Sequence, residues 1–317
     1  MDKKDLKIVY LGTPEFAVEP LRVLVEEGYN VVGVVTMPDK PAGRGKKLQQ
    51  SAVKEYALSQ NLPLLQPEKL RDTTFLEALS QWQADVQIVV AFRMLPEVVW
   101  NMPRLGTFNL HASLLPDYRG AAPINRAIMA GETETGITTF FLTHEIDTGE
   151  IIFQEKIVIN DTDNAGLVHD SLMNLGAKLV QKTVDALLDG SIRSIPQNQI
   201  QSNPDCLKLA PKIFKEDCRI DWTKTSKEIY DFIRGLAPYP AAFTEIELTE
   251  GELLYIKVFE SNKLIEAHNQ LPGTISSDGK TYLRIATADG WLELRTIQVA
   301  GKKSMPIEDF LRGRRTQ

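Results

Sequence analysis

Cysteine is nearly absent: Cys206 and Cys218 are the only two in 317 residues. Their spacing fits neither a redox pair nor a zinc site, so a disulfide scaffold is set aside and two plain thiols in a reduced compartment are expected. Long apolar runs are missing as well. No stretch approaches the roughly 20 residues needed to cross a bilayer. The start, MDKKDLKIVYLG, passes from charge into a strand-like run without the apolar core and cleavage site of a secretory signal, and a cytoplasmic protein is expected. The chain also lacks a basic excess. Its net charge of -6 argues against a surface coated in nucleic acid, because many phosphate contacts make a whole domain basic. Phosphate-binding glycines are scarce too. The first strand-to-helix turn, LGTPEFAV, offers only Gly12, where a dinucleotide fingerprint needs three glycines. PAGRGKK does not have Walker spacing. These absences set aside NAD or FAD enzymes, kinases and NTPases.

What is present is a strand-helix alternation. LKIVYLG, NVVGVVT, PLLQP, VQIVVAF and GTFNLH read as strands; TPEFAVEPLRVLVEEG, SAVKEYALSQNL and TTFLEALSQWQ read as helices. In the first of these helices Thr13 is placed to cap, Pro14 lies in the first turn and Gly28 ends it. Such alternation indicates βαβ units and a mainly parallel sheet with both faces covered. The fold class expected is α/β, Rossmann-like, over residues 1–192. Residues 193–210 are rich in Ser, Asn, Gln and Pro and read as a linker. From 211 to 317 one helix, TSKEIYDFIRGL, precedes short alternating segments bounded by turn residues, which predict a smaller, OB-like β-barrel.

Asn109 and His111 interrupt an apolar strand in FNLHASLLPDYRGAAP. Two positions apart, they project from one face. They also sit at the carboxyl end of the strand, where open α/β sheets bind ligands. Histidine can take a proton from an attacking amine, and an asparagine amide can donate to a developing oxyanion. A lone histidine at a strand end is more often structural, and the D-x-G that carries Asp147 is a common turn. Together, however, the three side chains have the chemistry of acyl transfer.

NLHASLLPDYRGAAP followed by ETGITTFFLTHEIDTGEI closely resembles the 10-formyltetrahydrofolate-dependent formyltransferases. That family's pattern is N-x-H-x-S-L-L-P with an aspartate 36 positions beyond the histidine, the spacing of His111 and Asp147 here. The resemblance implies that Asn109 and His111 act on the formyl carbonyl and the incoming amine, that Asp147 holds their geometry, and that no metal takes part. It also implies a folate slot lined by Ser113, Leu114, Leu115, Pro116 and Asp117, with Leu114 and Leu115 as apolar walls and backbone groups left free to pair. AFRMLP at 91–96 lies where relatives line this pocket. Phe92 and Met94 are expected contacts there, although Arg93 and Met94 depart from the family's A-Y-G-x-I-L-P-like pattern. Tyr118 and Arg119 receive no firm role.

Members of this family formylate initiator methionyl-tRNA, glycinamide ribonucleotide or amino-sugar nucleotides. The long tail argues against the short glycinamide enzymes, and amino-sugar nucleotides remain the rival acceptor. MPDKPAGRGKKLQQSAVK at 37–54 resembles the basic loop of the members acting on methionyl-tRNA. Lys40, Arg44, Lys46 and Lys47 are its expected tRNA contacts. VAGKKSMPIEDFLRGRR resembles the end of their C-terminal domain and adds Lys302 and Lys303. The expectation is therefore a monomeric enzyme with a folate co-substrate and a tRNA partner, which His111→Ala distinguishes from a non-catalytic RNA-binding protein on the same scaffold.

Overall fold

The computed structural model of the chain describes residues 2–42, 47–200, 206–249 and 251–314. It comprises two compact units: Met1–Gly120 with Gly136–Ile157 and His169–Leu209, and Ala121–Thr135 with Val158–Val168 and Ala210–Gln317. Among the described residues no helix is long and apolar enough to cross a membrane.

The first unit is built on a seven-stranded sheet. In chain order its early strands are β1 (Ile8–Gly12) and β2 (Val31–Val35), then a small antiparallel hairpin outside the sheet, β3 (Lys40–Ala42) and β4 (Lys47–Gln49). Next come β5 (Leu64–Leu65), β6 (Val86–Val90), β7 (Thr107–His111), the two-residue β8 (Arg119–Gly120), β9 (Glu134–Phe141) and β10 (Ile151–Val158). The order across the sheet is β10-β9-β7-β6-β1-β2-β5. The five strands from β7 to β5 run parallel, whereas β9 is antiparallel to β7. Every residue of β1 and β6 is buried, as expected where helices cover both faces of a parallel sheet. Helices come close: a Cβ on Gly33 of β2 would lie 2.4 Å from the ring of Trp82, at the end of the helix Thr73–Gln81.

The start of the first helix differs from the sequence expectation. Thr13 does not cap it; a 3-10 turn, Glu15–Ala17, intervenes before the helix Val18–Glu26. Proline biases its preceding residue away from helical backbone, and Pro14 itself is extended (φ -79°, ψ 176°). The Thr13 carbonyl instead accepts the Val53 N–H. Gly28 ends the helix as read, at φ +77°.

Residues 193–200 are not the free connecting chain that their composition indicated. Ile195 exchanges two backbone hydrogen bonds with Ile151, and Gln197 opens a 3-10 turn and is buried. The peptide ladder and one buried amide outweigh a polar composition.

The second unit contains a curled antiparallel sheet whose strands are Ala242–Thr249, Glu252–Leu264, Ile275–Ser277, Leu283–Ala286, Trp291–Val299 and Met305–Pro306. Strand Glu252–Leu264 pairs with Ala242–Thr249 on one side and Trp291–Val299 on the other, with register breaks at Val258/Glu260 and Glu260/Ser261. Extra residues of this kind bend a strand and raise its twist, which lets the sheet curl into the OB-like half-barrel. The helix Ser226–Leu236 buries Ile229, Ile233 and Leu236 in this unit's core, and so does a second helix, Ile307–Arg314, through Ile307, Phe310 and Leu311. That closing helix lies within a stretch read for its charge and its resemblance, not as a helix.

Candidate active site

Strand β7 places Asn109 opposite Val89 of β6 and Phe140 of β9, and His111 beside Thr138 of β9. Alternation along the strand puts Asn109 and His111 on one face, at the carboxyl end of the last parallel strand. His111 is buried, with its ring edge-on to Phe140. Its Nε2 lies 2.9 Å from the Tyr118 carbonyl oxygen. A carbonyl only accepts, so Nε2 carries the proton and donates, and Nδ1 is the basic nitrogen of the neutral ring. Nδ1 faces Asp147 Oδ2 at 3.9 Å, too far for a direct hydrogen bond. The structure thus brings Asp147 to His111 from 36 residues away. Asn109 is partly buried, and its Oδ1 has no partner. An orphaned buried acceptor is costly and rare outside functional sites.

Two residues around the histidine have left-handed backbones. Tyr118 (φ +59°) turns its carbonyl onto the imidazole, and Asp147 (φ +56°) is fixed from both ends. Its Oδ2 accepts the Gly120 N–H at 2.9 Å. Its own carbonyl accepts from Gln197 Nε2 at 2.9 Å, and the same amide reaches the Gly149 carbonyl at 2.8 Å. Arg119 Nε and Nη2 donate to Gln197 Oε1 at 3.1 and 2.6 Å. Gly149 tolerates no side chain, since a Cβ there would sit 1.6 Å from the Phe141 carbonyl oxygen. Gln197 was not singled out from the sequence, and Arg119 was named there without a firm role. The arginine beside SLLP was the only signal, and its partner stood in the presumed linker.

SLLP has a different character from the one expected. Leu115 is buried against Phe140, Ile151 and Leu142 and forms no open wall; Leu114 is half-buried. Several of the backbone groups expected to be free are engaged. Leu115 N–H donates to Thr138 Oγ1 and its carbonyl accepts from Gln154 Nε2, while Ser113 Oγ donates to the Asp117 carbonyl. Pro116 is buried, and the Asp117 carboxylate accepts the Lys208 N–H. Apolar side chains prefer the core, and buried peptide groups must pair, so this turn supports Tyr118 and His111. In AFRMLP, which leaves the end of β6, Met94 is 68% exposed and Phe92 is half-buried against the core. Arg93 donates to the Pro67 and Glu68 carbonyls.

Of the expected tRNA contacts, Arg44, Lys46 and the side chain of Lys47 lie outside the described residues. Lys40 is exposed. The base of the hairpin is held by Lys54 Nζ on Asp39 Oδ2 at 2.6 Å and by Gln66 on Asp39 Oδ1. The Lys54 ammonium bond keeps the Asp39 carboxyl below its ordinary range. Lys302 and Lys303 are exposed. Farther along, Arg312 pairs with Asp309 and Arg314 with Glu252, so those two cations of the basic tail are already met within the chain.

A mainly parallel sheet with Asn109 and His111 at the carboxyl end of β7, and Asp147 of the β9–β10 loop brought to His111, has the architecture of an α/β enzyme. Residues 6–184 match the Formyl transferase family and residues 212–315 its C-terminal domain; the chain belongs to the formyl transferase family. Among curated proteins it is similar to the methionyl-tRNA formyltransferase of Bacteroides fragilis, 63% identical over 99% of this chain and 96% of the relative. The methionyl-tRNA formyltransferase of Porphyromonas gingivalis is 48% identical over 99% and 97%. The fold is also that of an N-formyltransferase from Helicobacter canadensis in complex with folinic acid and dTDP-3-aminofucose, with TM-score 0.65 and 22% identity, covering 91% of this chain and 98% of that one. HypX from Aquifex aeolicus, in complex with tetrahydrofolic acid, shares it at TM-score 0.63 and 17% identity over 96% of this chain and 46% of that one.

Proposed function

We propose that this enzyme transfers the formyl group of 10-formyltetrahydrofolate to the amino group of methionine on initiator methionyl-tRNA. The observation that carries the reading is the set His111, Asp147 and Asn109 at the end of β7, in a chain similar along its whole length to curated methionyl-tRNA formyltransferases.

The amine nitrogen attacks the formyl carbon and forms the new C–N bond. Asn109 stabilises the oxyanion of the tetrahedral intermediate through its amide N–H, which a properly aimed donor does best in a site that excludes water. Because Nε2 of His111 is committed to Tyr118, Nδ1 is the nitrogen that accepts the amine's proton. Asp147 then faces the imidazolium at close range and stabilises it. Collapse breaks the bond between the formyl carbon and N10, and N10 takes up a proton to leave as tetrahydrofolate. Residues 40–47 follow the parallel strand β2 in the chain, and their bases, with Lys302 and Lys303, contact phosphates of the acceptor arm.

Purified protein incubated with 10-formyltetrahydrofolate and charged initiator tRNA should yield formylmethionyl-tRNA. Absence of that product together with turnover of an amino-sugar nucleotide would transfer the function to the sugar acceptors.

A further inference from the structure

The loop that carries Asp147 is held by a closed ring of contacts. Asp147 Oδ2 accepts the Gly120 N–H; Arg119, next in the chain, donates twice to Gln197 Oε1; Gln197 Nε2 donates to the carbonyls of Asp147 and Gly149. Gln197 is 3% exposed, and its amide oxygen and both protons have partners. A buried amide satisfied at every position has one orientation. Asp147 needs such support, because a left-handed conformation is unfavourable for a residue with a Cβ and its carboxylate stands at 3.9 Å from the imidazole without touching it. No direct bond to His111 sets that separation; the loop's backbone does.

We propose that Gln197, oriented by Arg119, is a positioning residue for formyl transfer that fixes the Asp147 carboxylate against His111 through the main chain of its loop. The inference rests on the catalytic reading of Asp147. Gln197 touches neither the imidazole nor the carboxylate, so it acts on the rate of the chemical step and leaves substrate affinity almost alone.

The test uses the full-length protein and three variants. Gln197→Glu removes both donors but keeps a partner for Arg119, Gln197→Met keeps volume alone, and Arg119→Lys removes the forked donor. Steady-state kinetics with each substrate and thermal unfolding are measured on all of them. The expected result is a roughly ten- to hundredfold fall in kcat for Gln197→Glu and Gln197→Met, a smaller fall for Arg119→Lys, and KM for both substrates within about threefold of wild type. Unchanged kcat in a folded Gln197 variant, or a rise in KM with kcat intact, would overturn the proposal. Unfolding of all three variants would overturn it too, in favour of a purely structural bond. A wild-type protein that does not formylate methionyl-tRNA would instead sink the function itself, so the two failures are distinguishable.

Discussion

The side chains proposed for catalysis have ordinary chemistry and are presented by what their surroundings do. His111 presents Nδ1 because Tyr118 turns its carbonyl onto Nε2, and Asn109 keeps an amide without a partner on Oδ1 beside it. His111→Ala should lower kcat by about 10² to 10⁴ and Asn109→Ala by about 10² to 10³, with tRNA binding retained. Single-turnover formylation, paired with a filter-binding titration, separates rate from affinity; an equal loss in both would mean that the residues bind and do not catalyse. Gly149 belongs to this scale too. Its missing side chain lets Phe141 approach, so Gly149→Ala must displace the Asp147 loop and is expected to lower both the Tm and kcat in calorimetry and assay.

Among the elements, the helix Ser226–Leu236 shows how local signals and packing combine. Thr225 caps it, with Glu228 reaching back in a capping box, and Asp289 accepts the Ser226 N–H. Thr225→Ala should cost about 1 kcal/mol in urea unfolding. Acid should act on the same turn. The Thr225 backbone N–H, and then its hydroxyl, hold the Glu228 carboxyl below its ordinary value, and the Ser226 N–H does so for Asp289. A carboxyl depressed on folding contributes stability above its unfolded pKa, near 4, which disappears as pH falls through the folded value. Denaturant midpoints should therefore fall from about pH 5 downward, and by less in Glu228→Gln. Thr13 illustrates the opposite case: a good capping residue by type, it was overridden by Pro14 and by the Val53 N–H that its carbonyl accepts.

For the whole molecule, a net charge of -6 must still accommodate a polyanionic partner. The exposed lysines 40, 302 and 303 and the bases of the β3–β4 loop are the means proposed. Arg44→Ala should raise KM for tRNA, leave KM for folate unchanged and reduce the slope of log affinity against log salt by about one. A parallel loss of folate affinity would mark the loop as a structural part of the folate site. Joint replacement of Lys302 and Lys303 by alanine tests the second patch in the same way, and here Arg312 and Arg314 should contribute little because both already have acidic partners.

Much of this was legible in the residues alone. Strand-helix alternation determined a parallel α/β sheet, because strands buried on both faces read as short apolar runs and amphipathic helices leave a helical period in the chain. The N-x-H-x-S-L-L-P run and an aspartate at a distinctive spacing identified the chemistry. Tertiary structure decided which groups were free to act. Leu115 and the SLLP backbone became internal support, because burial and peptide pairing claim apolar and polar groups alike. The supposed linker supplied Gln197 to the Asp147 loop, and the charged tail folded into a helix on the second unit's core. None of those partnerships has a local signature. A hydrogen bond spanning 50 residues, as between Gln197 and Asp147, exists only once the chain has closed on itself, and so the positions of the groups proposed for catalysis were determined by contacts that no short stretch of sequence contains.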